Sequence, residues 1–176
     1  HLYDGHEIAS HTLTHPDLRD LSDAELQWEI GEDKRQLEAF FGREVAGFAV
    51  PFHYYDERIA ECVRNCGFVY GRMSEETRNY SVRQNPYYWC CGIFHLAPEL
   101  DAYVDGFFET KDELALCQIV GHSYDLDAEN MWDRMEGYLA RLAADPDVAS
   151  LTHLELVRYL RAMKQAVVTE KFVENR

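Results

Sequence analysis

The sequence predicts an α/β fold built on a largely parallel sheet. Two observations predict it. Short apolar runs alternate with longer amphipathic segments, and glycine or proline stands at many of the boundaries between them. The 176 residues are enough for a hydrophobic core, so we expect residues 1–176 to form a single domain. In such folds the chemistry is found where strands end, which directs attention to the loops after the apolar runs.

Periodicity and flanking residues place each element in turn. Helices are expected over residues 22–41, 56–66, 127–143 and 154–163. Strands are expected over residues 45–50, from 68–70 onward, and over 114–120 and 148–152, with an aromatic, irregular stretch at 74–96. The first helix has the clearest bounds, because Ser22 and Glu25 form a capping-box pattern and Gly42 is a typical stop.

Composition argues against several classes of partner. The net charge of −15 disfavours nucleic acid and other anionic polymers, whereas a neutral or cationic substrate is compatible with it. No apolar run is long enough to predict a membrane span. The five cysteines contain no CxxC pattern, so we expect reduced thiols rather than a disulfide framework. Reduced thiols, together with the absence of a visible signal-peptide pattern, favour a reducing compartment such as the cytoplasm.

The most informative motif lies at residues 6–16, where His11 and His15 are four positions apart. We expect a helical turn here, which would place both imidazoles on one face. From one face both rings could reach a metal such as zinc, and a catalytic zinc would need a third protein ligand. The alternative is a pair of surface or capping histidines.

Residues 5–16 read Gly-His-Glu-Ile-x-x-His-Thr-x-x-His-Pro and resemble the second motif of the polysaccharide deacetylases, the NodB-homology carbohydrate esterases. The resemblance implies that His11 and His15 bind a divalent metal, usually zinc. It implies an incomplete or distorted (β/α) barrel of the NodB-homology type. It also implies hydrolysis of the N-acetyl or O-acetyl group of an acetylated carbohydrate.

A second match follows the apolar run at 45–50. Residues 48–52 lie where the third motif of the family would fall, but Ala49 replaces the arginine that orients the catalytic aspartate in the common form. The segment is closer to a divergent branch, with Val50 and His53 in place of its tyrosine and glycine. We expect Pro51 and Phe52 to contribute to substrate binding. The alternative is an aromatic turn between a strand and a helix.

Residues 121–125, Gly-His-Ser-Tyr-Asp, resemble the last motif of the family. The resemblance implies that His122 is the general acid that protonates the leaving amine, and histidine titrates near neutral pH as that role requires. Val120 would line the pocket for the acetyl methyl group. Asp125 could orient the imidazole, and Asp127 is expected to cap the next helix. The alternative for His122 is a hydrogen-bonded histidine that closes a strand.

Residues 89–95 resemble a segment of the divergent branch that ends in paired histidines, of which His95 alone is present. We expect His95 near the metal or the sugar. The alternative is an aromatic-rich core strand, and the same choice between sugar stacking and core packing applies to Trp89 and its neighbouring tyrosines.

The first motif of the family, Asp-Asp-Gly, supplies the general base and the third metal ligand, and it does not occur in this sequence. We therefore expect the N-terminal strand-helix segment to be missing by truncation and the chain alone to be inactive. One competing reading is a non-catalytic carbohydrate-binding or structural remnant, and another is a hydrolase of small amides. A missing strand would expose sheet edges and apolar patches, which predicts a homodimer.

Overall fold

The computed structural model describes residues 2–82, 85–112, 114–168 and 173–175. The chain divides into two compact units. The first unit comprises residues 1–73, 86–89 and 151–176, and the second comprises residues 74–85 and 90–150. This division does not test the expectation of one domain, which stays a prediction. Among the described residues, no helix is both long and apolar enough to cross a bilayer.

Parallel strands alternate with helices along most of the chain, which confirms the α/β prediction. The strands are β1 (Ala9–Ser10), β2 (Gly47–Ala49), β3 (Tyr70–Glu76), β4 (Trp89–Cys91), β5 (Ile93–Phe94), β6 (Ile119–Val120), β7 (Ala166–Val168) and β8 (Val173–Asn175). The helices are α1 (Asp23–Phe41), α2 (Glu57–Asn65), α3 (Leu100–Glu109), α4 (Ser123–Ala128), α5 (Trp132–Ala144) and α6 (His153–Gln165). The strand orders are β1-β2-β3-β4, β5-β6 and the antiparallel pair β7-β8.

The core of the first unit forms where α1 and α2 cover one face of the sheet. Its buried members are Leu18, Leu26, Ile30, Val45, Phe48, Val50, Ile59, Val63 and Phe68. Side chains alternate between the two faces of a strand, so Gly47 and Ala49 point to the opposite face from Phe48. Gly47 leaves room there for the ring of Tyr70, which a Cβ atom at position 47 would overlap. His11 follows the carboxyl end of β1, and Val50 and Pro51 follow the carboxyl end of β2.

The second unit has its own core around the parallel pair β5-β6 and helix α3. Ile93 pairs with Ile119, and Phe94 pairs with Val120. The buried cluster comprises Ile93, Ala97, Leu100, Tyr103, Val104, Leu126, Met131 and Tyr138. The end of β6 and the residues that follow it are therefore attached to a packed hydrophobic core.

The capping patterns in the sequence correctly predicted where α1 and α2 lie. Ser22 and Glu25 form the expected capping box at the start of α1, and Gly42 ends the helix with a left-handed φ of 64°. Asp56 caps α2 through the backbone N–H of Ile59. The five cysteines are free thiols, as expected. The reducing compartment inferred from them stays a prediction.

The later elements require corrections. The helix expected over 127–143 is two helices, because the chain breaks at 129–131, where Asn130 has a φ of 51°. Asp127 was expected to cap that helix but lies inside α4, where its carboxylate accepts a hydrogen bond from the Trp132 indole at 2.6 Å. The strand expected over 114–120 is only β6.

The strand expected over 148–152 is absent, because these described residues lead instead into a helix cap. The hydroxyl of Thr152 accepts from the backbone of Glu155, and the two residues form a capping box that opens α6. The sequence carries this Thr-x-x-Glu pattern, which is a helix start rather than a strand end.

Candidate functional site

The expected helical turn at His11 and His15 is wrong, yet the two rings meet. The segment is irregular, and both Thr12 and His15 have left-handed φ values, 67° and 58°. The backbone N–H of His15 donates to the Thr12 hydroxyl at 3.1 Å. The two imidazoles then lie edge to face with ring centroids 4.8 Å apart. A strained turn, not a helix, therefore brings the histidine pair together.

His11 follows β1 directly, and its ring is oriented by the neighbouring strand. Its Nδ1 atom lies 2.8 Å from the Ala49 carbonyl oxygen. A carbonyl only accepts, so Nδ1 carries the hydrogen and Nε2 keeps its lone pair. Burial lowers the pKa of His11, as do the nearby His15 and Arg72, although the hydrogen bond to Ala49 opposes the change. A lowered pKa favours the neutral imidazole, which is the form that binds a metal.

A buried carboxylate fixes the strand that leads to this pair. Asp33 on α1 is buried and accepts hydrogen bonds from the Ser10 hydroxyl at 2.6 Å and from the backbone N–H of His11 at 3.1 Å. Sequence reasoning missed this residue. The available signal was an aspartate within one helical turn of Ile30, a residue of the apolar stripe of α1.

The residues that follow β2 lie beside His15. Pro51 is buried, whereas Phe52 is 53% exposed. The Phe52 ring stands edge to face with His15 at a centroid separation of 4.7 Å. Ala49 is aligned with Arg72 across the β2-β3 pair. Arg72 on β3 therefore lies opposite Ala49, and Ala49 is the position at which the common form of the family motif has its arginine.

The histidine pair fits a metal as two ligands. His11 offers Nε2, and the exposed His15 ring is its immediate neighbour. Among the described residues, no group of three or more histidines, cysteines or acidic residues is arranged to hold a metal ion. A third ligand for a catalytic zinc is thus not supplied by the part of the chain that the structure describes.

In the second unit, His122 immediately precedes α4. Its Nδ1 atom lies 3.0 Å from Oδ2 of Asp125, and its ring stacks on Tyr124 with centroids 4.8 Å apart. The His122 side chain is exposed. Val120, at the end of β6, is half-buried, and its carbonyl accepts from the backbone N–H of His95 at 2.8 Å. Asp125 is thus in position to orient His122, as the sequence suggested.

His95 lies in the interior of the second unit. It is 3% exposed, and its Nε2 atom lies 3.3 Å from the same Asp125 oxygen that faces His122. Of the aromatic residues upstream, Trp89 is 1% exposed and belongs to the core, whereas Tyr87 and Tyr88 are half-buried. The described geometry connects His95 to Asp125. The expected place of His95 near the metal or the sugar stays a prediction.

The first part of the chain is similar to known proteins. Residues 2–71 match the family model described as "Polysaccharide deacetylase". A chitooligosaccharide deacetylase from Azorhizobium caulinodans is 34% identical over 80 residues, which are 45% of this chain and 38% of that protein. This part of the chain is therefore similar in sequence to the polysaccharide deacetylases. The aligned region spans well under half the length of that relative.

Solved structures show which known fold the chain resembles. A CE4 family pseudoenzyme from Bacillus anthracis matches with a TM-score of 0.58 and 15% identity, over 87% of this chain and 47% of that chain. A family 4 carbohydrate esterase from Streptomyces lividans matches with a TM-score of 0.50 and 18% identity, over 77% of this chain and 62% of that chain. At these identities the likeness concerns the fold, and it supports the NodB-type α/β prediction.

Proposed function

We propose that this chain carries part of the active site of a metal-dependent deacetylase that acts on an acetylated carbohydrate. The observation that carries the proposal is the ring pair of His11 and His15, with the Ala49 carbonyl holding His11 so that Nε2 is free to bind. The family match over residues 2–71 supports the substrate class. The net charge of −15 is compatible with a neutral sugar.

A divalent cation, zinc by ligand type, would be held by His11 and His15, and when bound it supplies Lewis acidity to the acetyl carbonyl and to water. The chain's own contribution is orientation: the Ala49 carbonyl fixes the ring of His11. Pro51 and Phe52 follow β2 on the side of His15, and we assign them to the border of the bound acetylated sugar.

His122 is assigned the proton transfer to the leaving nitrogen. Because the Asp125 carboxylate can only accept, it holds the hydrogen of His122 on Nδ1, and Nε2 is the atom that delivers a proton. Val120 is assigned to the acetyl pocket. The resemblance of residues 121–125 to the last motif of the family is what assigns His122 to the same reaction as the metal pair.

Two observations favour a second candidate, a non-catalytic carbohydrate-binding or structural domain. The 176 residues contain no Asp-Asp-Gly, and the described residues provide no third metal ligand. We therefore expect this chain alone to release no acetate. A domain of this second kind would bind sugar without any metal, whereas the deacetylase proposal makes sugar binding depend on zinc.

Zinc titration by calorimetry tests the metal pair. The wild-type chain should bind Zn²⁺. Loss of a hydrogen bond that supports a metal ligand lowers metal affinity roughly 10- to 100-fold. Loss of the ligand itself, in His11→Ala or in His15→Ala, should weaken binding by more than that. His6→Ala is the matched control, since His6 is exposed in the same segment and has no assigned role. Unchanged zinc affinity in His15→Ala would overturn the metal pair.

Sugar binding separates the two functions. An N-acetylated chitooligosaccharide, an acetylated xylan fragment and a small acetamide are titrated into the chain with zinc and with EDTA, followed by NMR and by acetate release. Chitooligosaccharide binding that requires zinc and is lost in His15→Ala supports the deacetylase site. Equal binding with zinc and with EDTA supports the non-catalytic domain instead. Acetate release by the wild type, abolished in His15→Ala, would contradict only the expected inactivity.

A further inference from the structure

We infer that His95 is a positioning residue for His122. It contacts the carboxylate of Asp125, which follows His122 in the chain, and its ring packs against Gly121, which precedes His122. The mechanistic value of this arrangement rests on the proposed role of His122 as a proton donor. The arrangement itself rests on contacts within the second unit alone.

On the C-terminal side, one oxygen atom serves two imidazoles. Oδ2 of Asp125 lies 3.0 Å from Nδ1 of His122 and 3.3 Å from Nε2 of His95. A carboxylate has no hydrogen to donate, so both ring nitrogens that face it must carry one. The shared oxygen therefore selects the Nδ1–H tautomer of His122 and the Nε2–H tautomer of His95.

On the N-terminal side, the His95 ring fills the space beside Gly121. A Cβ atom at position 121 would overlap that ring, so glycine is required by close approach. The backbone N–H of His95 also donates to the Val120 carbonyl at 2.8 Å. His95 is thus tied to the two residues before His122 as well as to the carboxylate three residues after it.

Burial explains why His95 can hold Asp125 in place. The His95 side chain is 4% exposed, the Asp125 side chain 20% and the His122 side chain 53%. His122 is an exposed ring at the start of the six-residue helix α4, and Asp125 has solvent as an alternative partner. The hydrogen bond from the buried His95 opposes rotation of the Asp125 carboxylate towards solvent. Without that donor, His122 would lose its Nδ1 partner and populate both neutral tautomers.

The histidine tautomers of the wild-type chain test the inference directly. Long-range ¹H–¹⁵N correlation spectra of the labelled 176-residue chain are recorded at about pH 9, well above the usual pKa of histidine. We expect the Nδ1–H pattern for His122 and the Nε2–H pattern for His95. An Nδ1–H pattern for His95, or an Nε2–H pattern for His122, overturns the inference with no variant needed.

Three variants then test causation. His95→Phe keeps a buried ring and removes the donor, and the ¹⁵N shifts of His122 should move towards the average of the two tautomers. His95→Gln keeps an N–H donor and should restore the wild-type His122 pattern. Asp127→Asn is the matched control, because Asp127 lies in the same helix but bonds Trp132 instead. A folded His95→Phe variant in which His122 keeps the pure Nδ1–H pattern overturns the inference.

These spectra report the positioning of His122 whether or not the chain has any activity. A chain that fails to bind zinc or sugar removes the proposed function and leaves the tautomer result standing. A wrong tautomer removes the role of His95 and leaves the metal pair untouched. The two failures are therefore distinguishable.

Discussion

Backbone strain at single residues is concentrated around the histidine pair. Thr12, His15 and Phe52 have φ values of 67°, 58° and 57°, a left-handed region that β-branched and bulky residues rarely adopt. Each such residue costs about 1 to 3 kcal/mol and persists only where its surroundings hold it. Here the Thr12 hydroxyl accepts from the His15 backbone, and the Phe52 ring contacts the His15 ring. Such a cluster of strain is typical of a functional site.

The Thr12 hydroxyl is the simplest contact in this turn to remove. We predict that Thr12→Val weakens zinc binding by about 10- to 100-fold, because His15 loses the bond that fixes its backbone. The free energy of unfolding should fall by about 1 kcal/mol. Thr12→Ser keeps the acceptor and should bind zinc as the wild type does. Calorimetry and urea denaturation measure both effects, and full zinc affinity in Thr12→Val would contradict this role.

At the scale of elements, the sequence was sufficient where the determinants are local. The bounds of α1 follow from Ser22 and Glu25 at one end and Gly42 at the other, all within a few residues of the helix ends. The turn at His11 was not predictable in this way. Its shape depends on Asp33, which is distant in sequence and reaches both Ser10 and His11. The same limit explains why an apolar run over 114–120 gave only the short β6.

The residues of the candidate site also divide into those that the local sequence predicts and those that only the fold reveals. The spacing of His11 and His15 and the glycine before His122 are visible in the sequence, so these residues were found. Arg72 belongs to no motif, and only the fold places it opposite Ala49. His95 was found by resemblance, but its contact with Asp125 was not predicted, because nothing local in the sequence indicates that partner.

Helix α6 begins at His153, a half-buried histidine whose Nε2 atom is buried, and this makes the stability of this end of the first unit depend on pH. The His153 ring stacks on Tyr70 at 4.1 Å and meets Trp89 edge to face at 4.7 Å. Its Nε2 atom has no hydrogen-bond partner among the described residues. Burial, together with the charge of Arg72, lowers the pKa of His153 to about 4.

The lowered pKa fixes the sign of the pH effect. The folded-state pKa lies below the unfolded value of 6.5, so the unfolded chain takes up a proton first as the pH falls. At about 1.4 kcal/mol for each unit of difference, the free energy of unfolding should fall by roughly 3 kcal/mol between pH 6.5 and pH 4. Above pH 6.5 both states are neutral and the contribution is constant.

His153→Phe isolates this effect, because phenylalanine keeps an aromatic ring beside Tyr70 and does not titrate. We predict that urea denaturation of His153→Phe shows a smaller loss of unfolding free energy over this pH range than the wild type. His6→Gln removes an exposed histidine and should behave as the wild type. Equal pH dependence in His153→Phe and the wild type would show that His153 does not titrate with this shift.

At the scale of the whole molecule, charge and exposed apolar surface act in opposite directions. The chain has 32 acidic and 17 basic residues, so copies repel one another at low salt. Yet the C-terminal end of α1 presents an aromatic patch formed by Tyr3, Phe40 and Phe41. Phe41 lies 5.0 Å from Phe40 and 5.9 Å from Tyr3, and Phe40 is 78% exposed. In the same unit, β1 stands at the end of the sheet order.

We therefore predict that the chain forms a homodimer through the aromatic patch, and that salt strengthens the association by screening the net charge. Sedimentation velocity over a range of protein and salt concentrations measures it. Phe40→Lys should weaken the dimer at least about tenfold, because burying a phenylalanine side chain contributes about 1.5 to 3 kcal/mol. Leu139→Lys is the matched control, since Leu139 is an exposed apolar residue of the other unit. A monodisperse monomer at high protein concentration and high salt would contradict the dimer, and a Phe40→Lys dimer of wild-type strength would place the interface elsewhere.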